Sequence, residues 1–186
     1  MGQRRAEVLR AAVELLDEVG LDGLTMRLLA SRLGVRASAL YRHYPSKQAL
    51  LDAMVAYLST PPADAAPSPG GSWEERLRAV AIAMRELMLA HRDGARLIAT
   101  FHHPGSEAVA TFHGLVAAQT AGGVPAETAV LAVDTLLAYV NGFTIEEQAR
   151  KTGAGDWPRE RRDRAFNDGI ELILAGVRET ARRTAR

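Results

Sequence analysis

Apolar residues recur at helical spacing along most of the chain, and no segment alternates at period two over a useful length. A first helix is predicted from about Gln3 to Val19, with Val8, Ala12, Leu15, Leu16 and Val19 on one face and Gly20 and Gly23 breaking it. Two short helices follow, roughly Thr25 to Leu33 and Ser38 to His43. Gly34 supplies a left-handed stop between them, and Pro45 closes the second. Ser46 is a good N-cap for a fourth helix carrying Leu50, Leu51, Met54, Val55 and Leu58.

Residues 59–72, STPPADAAPSPGGS, hold four prolines and two glycines and read as a stiff linker. Beyond it, Ser72 and Glu75 have the spacing of a capping box. The helix it opens runs to about His91, with Leu77, Val80, Met84, Leu87 and Met88 inward. A short helix is predicted over Gly94 to Phe101 and another over Ser106 to Thr120, with Pro104-Gly105 between them. Pro125 starts a long segment to Arg150 that is apolar on more than one side. Gly153, Gly155 and Pro158 mark a loop. A last helix, about Arg159 to Arg182, carries Phe166, Ile170, Ile173, Leu174 and Val177. The pattern predicts an all-α chain.

The second short helix is about two turns long and cannot stand alone in water. Its neighbours must hold it, so something other than stability selects its exposed face. That face carries Arg36, Ser38, Tyr41, Arg42 and His43, with Lys47 just beyond. Hydroxyls, a phenol, an imidazole and cations suit a helix laid against phosphates and base edges in a DNA major groove.

Composition changes this picture in one respect. The net charge is only +1, so affinity for a polyanion must come from local distribution and from doubling in a dimer. The chain of 186 residues is 47% hydrophobic, enough for real cores, and has no cysteine, which excludes disulfides and thiolate metal sites. No apolar run reaches the length of about 20 residues that a membrane span needs. The opening residues lack the apolar core and cleavage site of a signal peptide, and a cytoplasmic location is expected.

Gly20, Gly23, Leu24, Thr25, Leu29, Ala30, Leu33, Gly34, Val35, Leu40, Tyr41, His43, Lys47, Leu50 and Leu51 together resemble the TetR family of transcriptional repressors. His91-Arg92-Asp93-Gly94-Ala95, Pro104 and the stretch GFTIEEQ from Gly142 to Gln148 are similar to its tetracycline-repressor branch. The resemblance implies a helix-turn-helix DNA-binding domain over 1–46, a connecting helix over 47–58 and the linker over 59–72. A larger ligand-binding and dimerisation domain would cover 73–186. It also implies a homodimer on a palindromic DNA operator, with the last two long helices pairing with their copies. A small-molecule effector would shift the fourth helix and release the DNA. An activator, or a regulator with no small ligand, is the alternative.

The resemblance assigns the DNA face residue by residue. Thr25 can cap its helix and receive a phosphate. Arg27 matches a guanine-reading Arg, against the alternative of a solvated surface side chain. Tyr41 and Lys47 match backbone-contacting positions. His43 lies near them, or packs on the first helix. Arg36, Ala37, Ala39 and Arg42 replace polar or aromatic residues of the tetracycline-repressor branch, so the operator sequence should differ, the two alanines being suited to a thymine methyl; Ser38 completes the DNA-binding face.

Four of the five histidines fall between His91 and His113, but adjacent His102 and His103 point in different directions on a helix and make no i, i+4 ligand pair. With His113 and Glu146 they are the only raw material for an enzyme, and no nucleophile–base pair accompanies them, so none is expected. The related branch binds its drug with Mg²⁺. Here Ile98 or Ala99 stands near the metal-binding His, His102-His103 replaces a Thr-Arg pair, and Val80, Met84 and Leu115 replace polar drug contacts. No metal cofactor is therefore expected. An apolar pocket with a few polar points is the expectation. Met84, Met88, Phe101, His102 and Phe112 are its candidate lining, with Tyr139, Asn141, Phe143 and the helical acid Glu146; for the Met and aromatic positions ordinary core is the competing reading.

Overall fold

The structure, a computed structural model, describes residues 3–59, 71–100, 106–150 and 157–184. These residues form helices α1 (Gln3–Gly23), α2 (Met26–Arg32), α3 (Ala37–Tyr41), α4 (Lys47–Leu58), α5 (Trp73–Leu89), α6 (Gly94–Ala99), α7 (Ser106–Ala121), α8 (Ala126–Arg150) and α9 (Arg159–Thr184). The chain divides into two compact units. One holds α1–α4 together with the segment from Leu87 through α6, and the other holds α5 up to Glu86 with α7, α8 and α9. The expected boundary at the linker thus differs from the packing, because the segment around α6 belongs with the N-terminal helices. The linker itself lies largely outside the described residues.

In the first unit, α1 buries Val8, Leu9, Ala12, Leu15 and Leu16 against Leu29 of α2, Leu40 of α3, and Leu50 and Met54 of α4, all nearly inaccessible. Local chemistry ends each short helix. The Thr25 hydroxyl accepts from the Leu28 N–H at 3.1 Å, and the Ser46 hydroxyl accepts from Ala49 N–H at 3.0 Å. Gly34, at φ 64°, closes α2 with Val35 N–H donating to Ala30 and Gly34 N–H to Ser31. Gly20 kinks α1 at φ 75°. The first helix therefore runs on to Gly23 across a bend rather than ending at Val19. Asp93 Oδ2 accepts from the Leu21 N–H at 2.9 Å beside that bend, and a Cβ at Gly20 would stand 2.8 Å from it.

In the second unit, α8 is packed by α7 and α9. It buries Ala129, Ala132, Val133, Leu136 and Val140, while α9 buries Phe166, Ile170, Leu174 and Val177. The expected capping box forms at the start of α5. Ser72 N–H donates to Glu75 Oε2 at 2.7 Å, and Glu75 N–H to the Ser72 hydroxyl at 3.2 Å. Contrary to the expectation that no apolar run reaches spanning length, α8 is long and apolar enough on composition alone, with a window of mean hydropathy 1.4. Packing against α7 and α9 buries 33% of that window. Leu131 of α8 is 66% exposed, and on α9 Leu172 is 75% exposed.

Candidate DNA-binding face and effector region

The buried residues of α2 and α3 fix which side chains face outward. Leu29, Ala30 and Leu40 point into the core, so helical geometry turns Arg27, Ser38 and Tyr41 out. Thr25, Arg36, Arg42, His43 and Lys47 are exposed as well, while Ala37 and Ala39 are half-buried. Tyr41 is 49% exposed. Five-residue α3 is thus held from behind, as its length requires.

Two features of this face escaped the sequence reading. Lys47 Nζ donates to the Leu21 carbonyl at 3.3 Å, capping the end of α1. Arg5 lies 5.3 Å from the ring centroid of Tyr44, a buried phenol whose pKa is pushed up by burial. His43 is exposed and borders a small hollow of about 60 Å³ with Arg4, Glu7 and Val8 of α1.

Ion pairs tie α1 to its neighbours. Arg32 clasps Glu18 at 2.5 and 2.6 Å, and Arg96 clasps Asp22 at 3.0 and 3.2 Å. These partners hold the Glu18 and Asp22 carboxyls below their ordinary values. Asp17 accepts from Arg92 N–H at 2.9 Å and pairs with His91 Nδ1 at 3.0 Å.

In the second unit the structure gathers part of the expected pocket lining. The rings of Tyr139 and Phe143 lie 5.7 Å apart, and both pack on Phe166, which the sequence reading treated as core alone. The Tyr139 hydroxyl donates to the Ala165 and Phe166 carbonyls of α9 at 3.2 and 3.1 Å. Met84, Phe112 and Asn141 are half-buried. Asn141 Oδ1 is shielded from solvent with no hydrogen-bond partner. Met88 is fully buried and belongs to the first unit. Phe101 and His102, like His103, lie outside the described residues.

Glu146 is not gathered with them. It is exposed and pairs with Arg150 at 2.7 Å, one turn away. Its neighbour Glu147, 4% exposed, is the inward acid. Arg85 of α5 clasps it at 2.8 and 3.0 Å, and Arg162 of α9 reaches it at 3.0 Å. Arg85 also reaches Asp163 at 2.7 Å and lies 4.7 Å from the Phe166 ring centroid. Burial works against the Arg85 charge, but hydrogen bonds to Glu147 and Asp163 outweigh it and raise its pKa. The signal in the sequence was the spacing of Val140, Thr144 and Glu147, which share one face of α8. Glu146 sits about 100° round the helix from Glu147.

Among the described residues no group of three His, Asp or Glu side chains could hold a metal ion. His91 is engaged with Asp17, and His113 is exposed beside Phe112.

Residues 8–54 match the bacterial regulatory proteins of the tetR family, and residues 66–162 match the tetracyclin repressor-like C-terminal domain. The class A tetracycline repressor from transposon 1721 of Escherichia coli is 41% identical over 91% of this chain and 88% of its own. This chain belongs to the TetR family. Among solved structures, a single-residue variant of TetR from Acinetobacter baumannii AYE, in complex with minocycline, superposes with a TM-score of 0.85 at 33% identity, over 97% of this chain and 98% of that one. BioQ with its double-stranded DNA operator superposes with a TM-score of 0.71 at 31% identity, over 93% and 96% of the two chains. The relatives of this TetR-family protein are regulators. Like them, it is a ligand-responsive DNA-binding repressor.

Proposed function

We propose that two copies of this repressor grip a palindromic operator through their α2–α3 faces and let go when a small, largely apolar molecule enters the second unit. The carrying observation is the exposed set Arg27, Ser38, Tyr41, Arg42, His43 and Lys47 over a sealed core. Apart from Lys47, whose ammonium also caps α1, these exposed side chains match what a groove and its phosphates attract. In this reading Arg27 reads a base edge, Thr25, Tyr41, His43 and Lys47 take phosphates, and Arg36, Ala37, Ser38, Ala39 and Arg42 tune the preferred sequence. The net charge of +1 argues for two copies acting together. Leu131 and Leu172, exposed on the two long helices that pair in this family, support a second copy there. The cytoplasm is then its site of action.

For the effector, half-buried Met84, Phe112, Tyr139, Asn141 and Phe143 favour an apolar molecule carrying a hydrogen-bond donor for Asn141 Oδ1. Minocycline, held by the Acinetobacter relative, is the first compound to try. A metal does not fit this reading. Ile98 and Ala99 carry no ligand atom, and Glu146 is held by Arg150.

DNase footprinting with and without candidate effectors tests the whole reading. Tyr41→Ala and Lys47→Ala are expected to weaken binding to every sequence, and Arg27→Ala also to relax sequence preference. Wild-type affinity in all three would refute the placement. Leu172→Arg, which puts a charge on the pairing face, is expected to give monomers in sedimentation and to lose the operator. A dimer of unchanged affinity would remove α9 from the interface.

A further inference from the structure

Lys47 is not a free cation waiting for a phosphate. Its Nζ donates to the Leu21 carbonyl, one residue before Asp22, and two of its three N–H groups remain to be used. Asp22 follows Leu21 directly in the chain and is a rival for them, and the Lys47 charge acts weakly on its carboxylate. That carboxylate is already engaged. Arg96 of α6 takes both its oxygens, at 3.0 and 3.2 Å, and also reaches Asp93 at 3.7 Å. A planar guanidinium fork matches a carboxylate better than an ammonium does, while a lysine on its flexible stem moves to whichever anion is open.

We propose that Arg96 is a positioning residue for DNA binding. By occupying Asp22 it leaves the Lys47 ammonium for an operator phosphate, and when Arg96 withdraws, Asp22 captures Lys47 instead. This rests on Lys47 being a phosphate contact, as proposed above. One carboxylate thus stands between a cation from α6 and a cation at the start of α4, and operator affinity depends on where α6 lies.

The test is fluorescence anisotropy over a salt series, using a duplex that the wild-type protein selects from a random-sequence pool. Arg96→Met is expected to lower affinity by about two- to thirtyfold, the range of an exposed ion pair acting in each of two copies. The slope of log K against log salt should fall in magnitude by about two, one phosphate contact per copy. Adding Asp22→Asn should restore both. A general loss of positive charge would also be compensated by Asp22→Asn, so a second arm starts from Lys47→Met, where adding Arg96→Met should cause no further loss. Failure of Asp22→Asn to restore binding, or an equal loss with and without Lys47, overturns the proposal. If Lys47→Met alone binds like wild type, the phosphate reading fails and the proposal falls with it. If Lys47→Met weakens binding and Arg96→Met does not, only the proposal falls.

Discussion

Replacing Glu147 by Ala should leave two largely, not wholly, buried guanidiniums with their shared carboxylate gone. Removing one partner of a buried ion pair costs about 3–5 kcal/mol, because an uncompensated charge stays behind. The structure argues for the lower end. Arg85 keeps Asp163 at 2.7 Å and the face of Phe166, and Arg162 keeps a hydrogen bond to the Trp157 carbonyl at 2.5 Å. At about 3 kcal/mol and about 2–4 °C per kcal/mol for a chain of this size, the midpoint should fall by about 6–12 °C. Glu146→Ala is the internal control. Its i, i+4 pair with Arg150 is exposed and is worth about 0.3–0.5 kcal/mol, so the midpoint should move by about 1–2 °C. Replacing the pair together, Arg85→Met with Glu147→Leu, should recover much of the loss, since apolar replacements of matched size are often neutral. Thermal and urea unfolding followed by circular dichroism read all three variants. Equal shifts for the two adjacent glutamates would show that the inward acid is not Glu147.

Gly20→Ala forces an L-residue to φ 75° and sets its Cβ against Asp93 Oδ2, so a loss of at least about 1–2 kcal/mol is expected. A melt like wild type would mean that the bend relaxes freely. Acid should loosen the first unit. The Glu18 and Asp22 carboxyls have folded values below their ordinary 4.5 and 3.8. Their contribution is therefore complete above those values and is lost as pH falls through the lower folded ones. Arg32→Gln should flatten the part of this dependence due to Glu18, as read from melts below about pH 4.5.

Helix order, the caps at Thr25, Ser46 and Ser72, and the stop at Gly34 were legible because each depends on residues within one turn of itself. The outward set on α2 and α3 was legible for the same reason: once Leu29 and Leu40 are inside, period 3.6 puts Arg27, Ser38 and Tyr41 outside. The C-terminal unit was harder to read. Its long α8 is apolar on several sides, so the pattern there does not say which face meets which helix.

Local periodicity and capping, both written along the chain, therefore settle the all-helical class, the element order and the polar face of the headpiece. That Glu147 rather than Glu146 is the inward acid is a matter of tertiary packing, because it needs Arg85 and Arg162 brought from helices 62 and 15 residues away. The same holds for Arg96, which lies well past the linker yet packs with α1. Contacts 74 residues apart, such as Arg96 with Asp22, leave no periodic trace in the chain that makes them.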